Sequence, residues 1–475
     1  MSTELKLKTS DVAGVQEFGS AVALSGDYAI VGARHGGFDP GAAYVFVKNG
    51  AGWVEQAKLS ASDTTAFDHF GEAVGIDGDY AIVGASQAGI GSYGQAYIFH
   101  RNGSEWVEDT ILFASDKADY ALFGQSVSLS GDWAIVGSDK AAHMFQRTGS
   151  TWTEKAKLTA DEATDFGRSV SINGNYAVVG ATNINQSPQI GAAYVFHLSG
   201  DTWQQQAVLI ASDGTTYDYF GWSVSISGDY IIVGAPGANA SGMIEPGAAY
   251  IFWRSGSVWI QQIKLEPTAP HKVKDFGRAV AISGSHAVAV VGDPGDNEVA
   301  VGNGAAYLFE RNGVTWSLTE KIIARDAALF DNFGASVAVE NTSGNGVLVV
   351  VGAPCNNDSR VDEGAAYIFS EFPPALFGFQ FDPDRFMLVA RILFGLTGGG
   401  GGLIWQAGTG SVPVDSEPFK LWSALSSTKR DLLFGLALSE MADLIHDRKS
   451  RQAMKTMGVN LMKTAASQMR DPIDG

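Results

Sequence analysis

Phe220-Gly-Trp-Ser-Val-Ser-Ile-Ser-Gly-Asp-Tyr-Ile-Ile-Val-Gly-Ala-Pro236, followed by Gly247-Ala-Ala-Tyr-Ile-Phe252, decides how this chain is read. Ser223 to Ser227 alternate polar and apolar, the period of a half-buried strand. Gly228-Asp229 is turn chemistry. Tyr230 to Val233 form a continuous apolar run, as expected of a strand buried on both faces. Pro236 ends that strand because it cannot donate to a ladder. A polar, Gly-rich loop leads to a third strand at Gly247 to Phe252. Ser255-Gly256 turns the chain, and Trp259 to Leu265 alternates into a fourth strand. The unit is four short antiparallel strands joined by tight turns.

The same unit occurs seven times. Its Phe-Gly pairs begin at Phe18, Phe70, Phe123, Phe166, Phe220, Phe276 and Phe333, with spacings of 52, 53, 43, 54, 56 and 57 residues. A period near fifty marks a repeat architecture. One four-stranded sheet with two apolar faces cannot bury both alone, and radial stacking into a β-propeller does so. Gly-Ala-Ala triplets at Gly41, Gly191, Gly247, Gly304 and Gly364, with Gly94-Gln95-Ala96 as a variant, supply small residues where blades crowd. The third copy has Lys140-Ala141-Ala142-His143 instead, and a nearly deleted loop before it accounts for the 43-residue spacing.

Six copies carry a fourth-strand tryptophan: Trp53, Trp106, Trp152, Trp203, Trp259 and Trp316. The seventh stops at Phe369. Its missing strand is at the other end of the chain, where Leu5-Lys6-Leu7-Lys8-Thr9-Ser10-Asp11 aligns with Ala57 to Asp63. The expected fold is an all-β, seven-bladed propeller over residues 1–375, with four-stranded antiparallel blades and an N-terminal strand closing the last blade.

Residues 376–475 do not repeat. They read as a small, mainly α-helical C-terminal region, a domain or docking tail. Thr428-Lys429-Arg430-Asp431 resembles a capping box opening a helix to about Ile445. A second helix is expected from about Ser450 to Met469, with an apolar stripe of Met454, Met457, Leu461, Ala465 and Met469. Its basic face can dock on an acidic surface. Gly398 to Gly402 lack the Gly-Lys-Ser/Thr of a phosphate-binding loop and read as a flexible turn.

Charge divides the chain in the same place. Residues 1–375 hold 21 Lys and Arg against 41 Asp and Glu, a net of −20, whereas residues 376–475 are at +1. An acidic propeller disfavours nucleic acid as a partner. The lone cysteine, Cys355, permits no internal disulfide. No secretion signal or membrane-spanning run is read, so a cytoplasmic location is the default expectation, with signal-independent export as the other.

The order Phe-Gly, Ser-Val-Ser-Ile-Ser-Gly-Asp-Tyr, Ile-Val-Gly-Ala-Pro, Gly-Ala-Ala-Tyr-x-Phe resembles the FG-GAP repeats of the integrin α-subunit propeller, and most of all a bacterial subfamily that adds a Trp-containing fourth strand. The resemblance covers residues 1–372. It implies adhesion or ligand binding, at times with calcium, and some related fungal propellers are lectins. The nearest calcium ligand candidates are Asp293, Asp296 and Asn297 in one loop and Asn356, Asp358 and Asp362 in another. Neither has the full alternation of oxygen ligands: the first lacks it, and Arg360 interrupts the second. No cofactor is expected beyond that calcium.

No nucleophile elbow, HExxH or Cys/His cluster occurs. The aspartates near each Phe-Gly (Asp68, Asp165, Asp218, Asp275, Asp331, and Asp11, Asp63, Asp116, Asp213, Asp326) recur with the repeat and are read as turn-forming. The expectation is a non-enzymatic binding or scaffold module that meets a protein partner through its loops. A glycan-binding lectin is the alternative, with Tyr93, Tyr217 and Tyr219 as candidate contacts. An enzyme with its site in the channel mouth or tail is the second alternative, and would show as a single charged cluster at one mouth.

Overall fold

The computed structural model describes residues 3–370 apart from 11–16, 35–38, 51, 90, 184–189, 239–245, 268–274, 285–287, 313–314, 342–345 and 357–362. The chain divides into two units, Met1–Gly378 and Phe379–Gly475. The second unit, with the helices expected there, lies outside the described residues.

The first unit is a ring of seven four-stranded antiparallel sheets. The fifth blade runs Ser223–Ser227, Tyr230–Ala235, Ala248–Ser255 and Val258–Leu265, innermost strand first. Its innermost strand alternates between buried and half-buried residues, and its second strand is buried throughout. The third strand extends three residues past Phe252, because Trp253, Arg254 and Ser255 continue pairing with the outer strand.

The last blade is completed by Thr3–Leu7, which pairs antiparallel with Ala365–Ser370. Lys6 lies opposite Tyr367 there, as Lys58 lies opposite Tyr44 in the first blade. Innermost strands of neighbouring blades touch all round the ring, including Phe18–Ser25 against Ser336–Asn341.

Phe-Gly and Gly-Ala-Ala recur together because they meet across the blade seams. Isolated parallel bridges join Gly41 to Phe70, Gly94 to Phe123, Gly247 to Phe276, Gly304 to Phe333 and, at the closure, Gly364 to Phe18. In six blades the Phe ring then sits edge-on to the Tyr of its own blade's third strand, as Phe70 does to Tyr97 at 5.3 Å, and in the third blade Phe123 meets His143 in the same way, a favoured aromatic geometry.

The two ends of the ring differ. At one end lie the tight hairpin turns, where each seam is tied by a hydrogen bond to a side chain at the end of the preceding blade's inner strand. Gly78 N donates to Ser25, Gly131 N to Asp77, Gly174 N to Ser130, Gly228 N to Asn173 and Gly284 N to Ser227. Asn341 Nδ2 donates to Ser283, and Gly26 N to Glu340 closes the circle at 2.8 Å. The other end carries the long loops between second and third strands and the loops between blades. Variation is concentrated there, and it is called the mouth face below.

Candidate functional site

The loop entering a blade is held by two aspartates. The one seven residues before the Phe takes the hydroxyl of the buried third-strand tyrosine: Tyr97 to Asp63 at 2.8 Å, Tyr250 to Asp213 at 3.0 Å, Tyr367 to Asp326 at 2.8 Å. Lys264 and Lys6 pair with Asp213 and Asp326, both at 2.8 Å. Burial opposes the charge of these two carboxylates, but the lysine and tyrosine hydrogen bonds outweigh it and hold both below the usual carboxylate range. The aspartate two residues before the Phe is buried and folds the turn. Asp218 accepts from Thr215 N at 2.7 Å and Thr215 Oγ1 at 2.6 Å, and Asp68 and Asp331 act likewise on Thr65 and Ala328. Asp11 lies outside the described residues.

These turns place an aromatic residue where a glycine is ordinarily required. Asp68 N, Ala121 N and Asp218 N each donate back three residues, to Thr65, Ala118 and Thr215. The third residue of each turn has positive φ: Phe67 at 72°, Tyr120 at 61° and Tyr217 at 73°, with Phe330 at 63° in the equivalent loop of the last blade. A turn with positive φ at that position favours Gly or Asn, and a bulky residue there costs on the order of 1–3 kcal/mol. These side chains are also exposed, at 49%, 74%, 70% and 62%. Four blades thus present a strained, exposed aromatic at one position on the mouth face. Beside Phe330, Leu329 of the same loop and Val299 and Val301 of the adjoining loop are exposed as well, and Phe330 N donates to Val301 O at 2.9 Å.

Only Tyr217 of the three proposed glycan-contact tyrosines belongs to that array. Lys117 Nζ lies 5.0 Å from the Tyr93 ring centre, and Tyr219 packs edge-on to Trp222 at 6.1 Å. Sequence reasoning passed over Phe67, Tyr120 and Phe330. Their signal was the shared offset, three residues before the Phe of Phe-Gly.

Nearer the axis, the residue after each Phe-Gly breaks the repeat: Ser20, Glu72, Gln125, Arg168, Trp222, Arg278 and Ala335. On one side Glu72 takes the Ser86 hydroxyl and lies 3.6 Å from Arg34, which also bonds Glu17 at 3.1 Å. His69 is 4.0 Å from Glu72. On the other side the Arg168 and Arg278 guanidinium carbons sit 3.9 and 4.6 Å from the Trp222 ring centre. Asp165 and Asp275 stand directly before their Phe and are half-buried at this mouth. Asp165 bonds the Thr182 hydroxyl and Asn183 N, while Asp275 is 4.0 Å from Arg278. The mouth therefore carries two charged groups, one around Glu72 and Arg34 and one around Trp222.

Of the described calcium candidates, Asp296, Asn297 and Asn356 are held in protein hydrogen bonds. Asp296 accepts from Tyr307 at 3.0 Å, Lys321 at 2.7 Å and Glu298 N at 3.0 Å. Asn297 accepts from Gly302 N. Asn356 accepts from Lys6 at 2.9 Å and donates to Asp331 at 3.1 Å. Asp358 and Asp362 lie outside the described residues. Calcium takes about six to eight oxygens, and the described residues do not fit it: no group of three or more His, Cys, Asp or Glu placed to hold a metal occurs among them.

Asp293 stands where the other blades have Ala or Ser, is buried, and has one carboxylate oxygen without a hydrogen-bond partner. Burial first, then Asp296 and Asp275, push its pKa well above the ordinary value. A carboxylate whose pKa is raised on folding costs no stability below its unfolded-state pKa, and the cost grows as pH rises from there to the folded-state pKa. Asp293→Asn is therefore expected to raise the melting temperature at pH 7, by an equivalent of about 1–3 kcal/mol. The gain should shrink as pH falls through the folded-state pKa. Thermal melts of both proteins from pH 4 to 8 test this, and a constant difference across that range would overturn it.

The sequence pattern described as the FG-GAP repeat matches residues 1–46, 53–99, 106–151, 152–196, 203–252, 259–309 and 316–369. The chain belongs to the FG-GAP repeat family. Most matched copies start on a fourth strand and end on the next blade's third strand, so the repeat is offset from the blade by one strand. That stagger is what the closure by Thr3–Leu7 requires. No curated protein matches the chain. Among the described residues, no helix is long and apolar enough to cross a membrane.

Proposed function

We propose that this FG-GAP propeller is a protein-binding module whose partner docks on the mouth face, with Phe330 and its apolar neighbours as the anchor. The observation that carries this is the strained, exposed aromatic repeated at Phe67, Tyr120, Tyr217 and Phe330. Fixed aromatics of this kind give large contact area at low entropic cost, and interface hot spots are rich in them. Val299, Val301 and Leu329 beside Phe330 make an aliphatic patch suited to a protein surface. The catalytic alternative is weaker. Glu17 and Glu72 are tied to Arg34 and Ser86, and the arginines opposite flank an indole, an arrangement that holds charge rather than moving a proton. Adhesion is one setting in which such a module serves.

Recurrence over four blades also suits a glycan with repeated contacts, and single variants separate the two readings. With full-length protein as bait, Phe330→Asp is expected to reduce capture of a crosslinked protein partner at least tenfold. Ile260→Asp, on the exposed outer strand of the fifth blade, should leave capture unchanged. Equal capture by wild type and Phe330→Asp would overturn the anchor assignment. Glycan-array binding that falls by a similar step with each of the four aromatic variants would favour the lectin reading instead.

A further inference from the structure

We propose that Arg168, Trp222 and Arg278 form a binding site at the channel mouth for a small, multiply charged anion such as a polycarboxylate or a phosphate compound. Three successive blades supply them from one position, where the scaffold elsewhere accepts Ser20, Gln125 and Ala335. Nothing in the repeat demands two arginines there.

The donors of these arginines are unspent. Arg101, Arg147 and Arg254 each bond an aspartate of their own blade and a backbone carbonyl. Arg34 bonds Glu17. By contrast, among the described residues the Arg168 side chain makes no hydrogen bond or ion pair, and it lies over the Trp222 ring. Arg278 has the same ring and a single long pairing to Asp275. Two guanidiniums with free donors are thus gathered in a propeller whose net charge is −20.

The indole keeps them in place. Cation–π contact fixes each guanidinium plane against a rigid ring, which lowers the entropic cost of binding a ligand oxyanion bidentately. Bringing two like charges together is unfavourable until an anion arrives. Burial first, with Arg278 adding to it and Asp165 and Glu72 opposing, already lowers the Arg168 pKa. The preference for more than one negative charge follows from having two cations to neutralise. Glu72 and Glu17 on the far side repel an anion and restrict it to blades four to six. Trp222 already carries an arginine from each neighbouring blade, so ligand recognition relies on charge and hydrogen bonds.

The test is calorimetric titration of the full-length protein with citrate and, separately, with pyrophosphate, against sodium chloride of matched ionic strength. Saturable binding of at least one probe is expected. Arg168→Ala and Arg278→Ala should each weaken it at least tenfold, and the double variant should abolish it. Arg168→Lys should bind more weakly than wild type, because a lysine cannot chelate bidentately, while Glu72→Gln should bind more tightly. Unchanged circular dichroism and melting without probe would show that the variants fold. Heats indistinguishable from chloride, or equal binding by the double variant, would overturn the proposal. Phe330→Asp should bind these anions normally, so failure of the protein-docking reading would leave this one standing.

Discussion

Removing residues 1–10 is expected to abolish cooperative folding of the propeller at 37 °C. The deletion takes away the outer strand of the seventh blade, Thr3–Leu7, and with it a five-residue ladder to Ala366–Ser370. Leu7 is fully buried, a contribution of about 2 kcal/mol. Ladder hydrogen bonds add about 1 kcal/mol each, net of water. Asp326 loses Lys6, and Arg325 N loses Glu4. The total is on the order of 5 kcal/mol or more, against a typical domain stability of about 5–15 kcal/mol. The cut also leaves Ala365–Ser370 as an open edge, a template for aggregation. Glu4→Ala and Lys6→Ala separate the strand from its ion pairs. Each should cost no more than about 1–2 kcal/mol, since these pairs are partly exposed. A chain starting at residue 11 that melts at the wild-type temperature would show that the ring does not depend on this closure.

The seam was readable because it is itself a copy: Lys6, Leu7 and Asp11 keep the spacing of Lys58, Leu59 and Asp63. Strands were readable for a related reason. Apart from the closing pair, each is joined to one chain neighbour by a tight turn, so local alternation and Gly-Asp or Asn-Gly signals suffice. The contacts across seams were not readable in that way. Gly247 was seen as a small residue in a crowded place, but its bridge to Phe276 joins different copies and leaves no local trace. The mouth was hidden for the opposite reason. What the copies share, such as Asp63 and Asp218, holds loops together. Arg168, Trp222 and Arg278 carry a signal only when the position after Phe-Gly is compared down the seven copies. Phe67, Tyr217 and Phe330 sit in turns closed by Asp68, Asp218 and Asp331, and Tyr120 in a turn closed by Ala121, so their exposure and left-handed backbone depend on loop geometry that no single residue announces. Asp293 drew attention as a metal ligand through its chemistry. It also fills a column of Ala and Ser, where a carboxylate finds one oxygen unpartnered.

The same seams set the second large effect. Gly71→Val is expected to prevent folding, whereas Gly78→Asn should change stability by less than about 1 kcal/mol. Both glycines have positive φ, at 91° and 58°, so conformation alone does not rank them. Asn tolerates the left-handed region that Gly78 occupies, and a Cβ at Gly78 meets nothing within 4 Å. Gly71 sits at φ 91°, outside that small allowed region. A Cβ there would lie 2.2 Å from the carbonyl oxygen of Ala42 in the neighbouring blade and 3.1 Å from Ala33 N. Those are backbone atoms in paired strands and cannot yield as a flexible side chain would. Relief would require the first and second blades to part, opening the contact of Phe70 with Gly41. The cost should exceed 4–5 kcal/mol, the range of exceptional single substitutions. Soluble yield and urea unfolding of the two variants measure the contrast. If Gly71→Val folds with a midpoint near that of Gly78→Asn, then blade spacing is not set by Phe-Gly, and the reason for its sevenfold recurrence must be sought in the loops instead.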